Sequence, residues 1–141
     1  MDKNEMHLLA KAVIRSVETG EIPTELPSVA ASPSSSLALI NAIVDEMKLR
    51  KGSIEDGLDA TMELLEELYE IKGESSLFLM ASLRTIAGSV TGFYDVGDSI
   101  GLWIQNNLSP RLRSYLLELG REIKDENISS HITQWAKFQK E

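Results

Sequence analysis

Apolar residues recur along most of this chain at the three- and four-residue spacing of one buried helical face. The run at residues 77–90 is apolar on nearly all sides, which is typical of a central helix in a bundle. Alternating strand patterns and Asn-Gly or Asp-Gly hairpin signals are lacking. The pattern predicts an all-α, single-domain helical bundle of about five to seven helices. The other predicted helices cover residues 6–17, the stretch from Ser35 or Ser36 to Lys51, the stretch from Ser53 to Gly73, residues 98–108, residues 112–123 and the segment after Ser129.

Gly20 ends the first helical pattern, and a segment rich in proline and serine follows it. Proline restricts both itself and its predecessor to extended geometry, so we expect neither helix nor central strand there. Ile22, Leu26 and Val29 give this segment apolar side chains to bury, which favours an arm packed on the surface. We therefore divide the single domain, residues 1–141, into an N-terminal helix (1–19), a linker or arm (20–36) and the main bundle (37–141).

The remaining helix ends carry ordinary capping residues. Gly52 and Gly73 are placed to end helices, and Ser53 is placed to begin one. Ser109 is predicted to cap a helix that has Pro110 in its first turn.

The composition narrows the class of protein. The chain has 141 residues, no cysteine and a net charge of −8, so disulfides and thiolate metal sites are excluded. It has no signal-peptide pattern and no run of about 18 apolar residues, the length that a membrane span requires. We expect a cytoplasmic protein that does not enter a membrane.

The negative charge is concentrated between residues 55 and 74, where eight acidic residues meet one base, Lys72. Such a surface repels phosphate, so nucleic acid is not expected to bind this helix. It is either a solvated face that aids solubility or a surface for a basic partner. The candidate partner-binding residues on it are Glu63, Glu66, Glu67 and Glu70.

Asp95 and Asp98 lie three residues apart within the stretch "TGFYDVGDSIGLWI". Nearby glycines disfavour an unbroken helix, so we expect Asp98 to cap a helix that runs to residue 108 and Asp95 to shape the preceding turn. Alternatively the two carboxylates share one face and bind Mg²⁺ together with an acidic pair on the preceding helix, either Glu63–Glu66 or Glu67–Glu70.

The pairs Glu67–Glu70 and Asp95–Asp98 resemble the metal-binding motifs of the all-α nucleoside triphosphate pyrophosphohydrolases, which hold Mg²⁺ between an E-x-x-E and an E-x-x-D motif. The resemblance implies that Glu67, Glu70, Asp95 and Asp98 are the metal ligands of a Mg²⁺-dependent hydrolase. This chain departs from the family pattern at Asp95, where the family has glutamate.

The sequence favours an interaction module without catalytic activity or cofactor, acting as a subunit, adaptor or inhibitor. It lacks phosphate-binding loops and nucleophile motifs. The expected partner is another protein, with a basic surface, or a second copy bound through residues 77–83 or 112–123. Trp135 and Phe138 are candidate exposed anchors for such an interface. A further alternative is a subunit of a nucleoprotein assembly, which would require Arg84, Arg111, Arg113 and Arg121 to converge.

Overall fold

A computed structural model of the chain describes residues 1–86 and 93–138; for residues 93–95 it describes the backbone alone. Within these ranges the chain forms seven α-helices and no strand, which confirms the predicted all-α bundle. Among the described helices, none combines the length and apolar character needed to cross a membrane. The helices are α1 (Lys3–Thr19), α2 (Leu26–Ala31), α3 (Pro33–Lys51), α4 (Ile54–Leu83), α5 (Phe93–Asn106), α6 (Pro110–Glu122) and α7 (Glu126–Ala136).

Four of the predicted helix ends are confirmed, at Gly20, Gly52, Ser53 and Ser109. Gly20 and Gly52 follow α1 and α3 with φ of 77° and 90°, a left-handed conformation that glycine adopts without a steric penalty. The Ser53 hydroxyl accepts a hydrogen bond of 3.1 Å from the Asp56 backbone N–H at the start of α4. Ser109 caps α6 in the same way, with Pro110 in the first turn as predicted.

The expectation that the Pro/Ser-rich segment contains no helix is wrong in part. Leu26–Ala31 forms α2, and α3 begins at Pro33. Each of the two helices has a proline in its first turn, where the missing N–H would have no partner within the helix. The segment does pack on the bundle. Leu26 and Ala30 are fully buried against α3 and α4, and Ile22 and Val29 lie at the edge of the core.

The predicted boundary near Gly73 is a bend inside α4. Lys72 has non-helical angles, φ −139° and ψ 67°. The Ser76 hydroxyl donates to the Leu65 carbonyl, although eleven residues of straight helix would separate them by about 16 Å. The two halves of α4 therefore fold sharply towards each other. Residues 75–83 are all buried, as expected for the central helix.

A chain of hydroxyls crosses the core and joins three helices. Ser82 on α4 lies 2.8 Å from the Ser36 hydroxyl on α3 and 2.7 Å from the Tyr115 hydroxyl on α6. Tyr115 also stacks on Phe78, with ring centroids 4.5 Å apart. Burial raises the pKa of Tyr115 to about 12, because the phenolate would lose its hydration. These polar groups satisfy one another inside an otherwise apolar core.

Helices α5 and α7 also begin earlier than expected. Helix α7 starts at Glu126, where the Asp125 carboxylate caps the backbone N–H groups of Asn127 and Ile128. Helix α5 starts at Phe93, so Asp98 lies inside the helix and the prediction that it caps one is wrong. Gly97 and Gly101 are buried within α5. A Cβ added at Gly101 would lie 3.4 Å from Trp135 Nε1, so close packing on α7 offsets the low helix propensity of glycine.

Candidate functional site

The first half of α4 presents an acidic face to solvent. Asp59, Glu63, Glu67 and Glu70 are exposed, and Glu66 is half-buried. In residues 1–86 and 93–138, none of these five carboxylates forms an ion pair; the two ion pairs found there are Arg50–Glu46 and Arg111–Glu74. The charges of the acidic face are therefore not neutralised by ion pairs within the described part of the chain.

A groove of about 270 Å³ runs between this face and α5. Asp59, Glu63 and Glu66 line its α4 side, and the largely covered side chains of Met62 and Val96 form its floor. Three carboxylates around one groove match the charged head of a lysine or arginine side chain. The sequence showed the acids, but only the packing of α5 on α4 creates the groove.

The proposed Mg²⁺ ligands do not line one cavity. Glu67 lines a groove formed by α1, α3 and α4, whereas Asp98 lines a groove between α5 and α7. Glu70 is exposed on α4, and the Asp95 side chain lies outside the described residues. Within the part of the chain that is described, no group of three acidic or histidine side chains is arranged to hold a metal ion.

The two aromatic candidates differ in exposure. Trp135 is only 3% exposed and belongs to the core, whereas Phe138 is 36% exposed. Arg113 holds this end of the chain, since its guanidinium donates to the carbonyls of Ala136 (2.6 Å) and Phe138 (2.9 Å). Cations at a helix C-terminus satisfy carbonyls that have no partner within the helix. Of the two, Phe138 alone presents substantial ring surface.

The apolar faces considered for self-association are used inside the chain. Residues 77–83 are buried, as are Leu112, Leu116 and Leu119 on α6. Three of the four arginines named for a nucleoprotein subunit also make internal contacts. Arg111 pairs with Glu74, Arg84 donates to His131, and Arg113 donates to the carbonyls of Ala136 and Phe138. Burial of these faces and internal use of these cations weaken both alternatives.

The groove between α5 and α7 holds a polar cluster that the sequence did not indicate. It has a volume of about 320 Å³ and is lined by Asp98 and Gln105 from α5 and by His131 and Trp135 from α7. The rings of His131 and Trp135 lie 4.9 Å apart. In the sequence His131 stands alone, without a second ligand at metal spacing, so no local signal marks this cluster.

Arg84 influences which nitrogen of His131 carries the proton and the charge of the imidazole. Its Nε donates a 3.2 Å hydrogen bond to His131 Nδ1, so Nδ1 carries no proton. Burial is the main cause that lowers the pKa of His131 from 6.5, and the positive charge of Arg84 adds to it; Asp98 acts in the opposite direction. The imidazole is therefore neutral at physiological pH, and its remaining proton is on Nε2.

No protein family matches this chain, and neither a curated protein nor a solved structure shows significant similarity to it.

Proposed function

We propose that this chain is a non-catalytic interaction module that binds a partner protein with a basic surface through the acidic face of α4. The observation that supports this most directly is the groove between α4 and α5, which is lined by three carboxylates. Coulombic attraction speeds and orients the encounter, and the groove accepts a basic side chain on docking.

The Mg²⁺-dependent hydrolase is the weaker alternative. It needs Glu67 and Asp98 to meet at one ion, and these residues line different grooves. Incubation with nucleoside triphosphates and Mg²⁺ tests it directly. Pyrophosphate release that is lost in Asp98→Asn would favour the hydrolase over the interaction module.

The experiment for the main proposal compares two triple variants with the same change in net charge. The face variant carries Glu63→Lys, Glu66→Lys and Glu70→Lys. Glu63→Lys replaces repulsion from Asp59 and Glu67, each four residues away on α4, by attraction, so the variant should fold. The control variant reverses Asp45, Glu118 and Glu122, which are exposed on α3 and α6 and line neither groove beside the acidic face.

Each protein is used to capture partners from native lysate at low and high salt, and each captured protein is quantified. We expect at least one partner that binds the wild type and the control variant, fails to bind the face variant, and is lost as salt screens the charges. Capture that is the same for all three proteins, or that is insensitive to salt, would refute the role of the acidic face. Circular dichroism confirms that both variants are folded.

A further inference from the structure

The groove between α5 and α7 is lined by a hydrogen-bond donor that has no acceptor among the described residues. The Trp135 side chain is 97% buried, and its Nε1 is the atom nearest to the position of a Cβ on Gly101 in the groove wall. The indole N–H forms no hydrogen bond within the described parts of the chain, and its nitrogen retains some solvent contact. A ligand acceptor in the groove can therefore reach this N–H.

Two further groups in the same groove are also unpaired within the described structure. His131 accepts from Arg84 through Nδ1, which leaves its Nε2–H as a donor. The Asp98 carboxylate is exposed and has neither an ion pair nor a hydrogen bond to any described residue. The groove thus offers two neutral donors from α7 and one anionic acceptor from α5.

The charges define the ligand. Neither lysine nor arginine lines this groove, and Asp98 is negative, so an anionic ligand group would be repelled. The acceptor that meets Trp135 and His131 is therefore a neutral carbonyl, and the group that meets Asp98 is a cation or a strong donor. An ammonium and a carbonyl on neighbouring atoms are what the first residue of a peptide presents.

We infer that this groove binds the free amino terminus of a peptide. The ammonium pairs with the Asp98 carboxylate, and the first carbonyl accepts from Trp135 Nε1–H and His131 Nε2–H. Leu102, which is 62% exposed at the groove wall, contacts an apolar side chain of the peptide. The volume of about 320 Å³ is at the small end of ligand sites, which suits one or two residues. This site is separate from the acidic face of α4, and the inference does not rest on the function proposed above.

The indole signals in a ¹H–¹⁵N correlation spectrum report on this site directly. The chain has two tryptophans, and Trp103, which packs against Tyr69 at 4.8 Å, does not line the groove and serves as an internal reference. Trp135→Phe assigns the two signals. The probe is the tripeptide amide Ala-Leu-Ala-NH₂ with a free amino terminus. Its N-acetylated form lacks the ammonium, and free leucine replaces the neutral carbonyl with a carboxylate.

We expect the free tripeptide amide to shift the Trp135 indole signal in a saturable manner and to leave the Trp103 signal in place. The acetylated peptide and free leucine should bind about tenfold more weakly or not at all, since each loses or opposes a charge-assisted contact. Asp98→Asn should weaken binding of the free peptide to a similar extent. Asp45→Asn, an equal change of charge at an exposed site on α3, should not.

Three results would overturn the inference. The first is an unchanged Trp135 signal at millimolar peptide. The second is an equal response to the acetylated peptide, and the third is full binding by Asp98→Asn. Asp98 is exposed, so its substitution leaves the core intact and the test does not depend on the stability of Trp135→Phe.

Discussion

Replacement of Gly57 by alanine tests the packing of the longest helix hairpin in the bundle. Gly57 is buried in the first turn of α4, where α4 passes the C-terminal end of α3. A Cβ at this position would lie 2.9 Å from both the Cα and the backbone nitrogen of Lys48. Backbone atoms cannot rotate away as a side chain does, so the two helices must move apart.

Two opposing effects determine how much Gly57→Ala changes the free energy of unfolding. Alanine is favoured over glycine within a helix by about 1 kcal/mol. Overpacking of a well-filled interface costs about 1–3 kcal/mol, and contact with backbone on α3 places this case near the upper end. We therefore expect Gly57→Ala to lower the free energy of unfolding by about 1–2 kcal/mol, which corresponds to a fall in Tm of roughly 2–8 °C for a chain of this size.

Gly101→Ala is the matched control, because it makes the same substitution inside α5. Its Cβ would meet Trp135 Nε1 at 3.4 Å, an ordinary contact, so the helix propensity of alanine should leave the protein unchanged or stabilise it by up to about 1 kcal/mol. Urea unfolding followed by far-ultraviolet circular dichroism measures both variants. If Gly57→Ala is as stable as Gly101→Ala, the close approach of α3 and α4 is refuted.

Three further predictions concern the core, a titrating group and a cap. Tyr115→Phe should cost about 1 kcal/mol in urea unfolding, since it removes the end of the buried hydroxyl chain. The folded-state pKa of Tyr115 is raised from 10.0 to about 12, so its contribution to stability is present below pH 10 and is lost as the pH rises towards 12. The unfolding free energy of Tyr115→Phe should therefore fall less than that of the wild type over this pH range. Burial and Arg84 lower the pKa of His131 from 6.5, so the unfolded chain binds more protons than the folded chain below that pH. The free energy of unfolding should therefore fall on acidification. The urea midpoint of His131→Gln should depend less on pH than that of the wild type. Ser109→Ala should cost about 1 kcal/mol by uncapping α6, whereas Ser114→Ala, at an exposed position within the same helix, should cost little in the same unfolding assay.

Local chemistry made several elements of this fold predictable. Gly20 and Gly52 end helices because each reaches the left-handed conformation without penalty, and Ser53 and Ser109 begin helices because each side chain satisfies a backbone N–H. Residues 75–83 could be identified as the central helix because a helix that is apolar all round must be buried. These features depend on residues that are close in sequence.

Predictions failed where tertiary contacts overrode local preference. Prolines indicated an extended arm, but burial of Leu26 against α3 and α4 stabilises the short α2. Glycines indicated a break before Asp98, but Gly101 lies against Trp135 in an unbroken α5. In both cases packing between distant segments compensates for a propensity cost of about 1 kcal/mol or less per residue.

One feature of the candidate sites could be predicted from nearby residues in the sequence, whereas the others depend on tertiary packing. The acidic residues of α4 were visible in the sequence because their charge accumulates along one stretch of chain. The groove beside them, and the meeting of Asp98 with His131 and Trp135, depend on how α5 packs on α4 and α7. Helix class, most helix caps and the charge distribution could be predicted from the sequence, since they follow from periodicity and neighbouring residues. Which polar groups share a groove could not be predicted, because side chains that are distant in sequence come together only once the core has assembled.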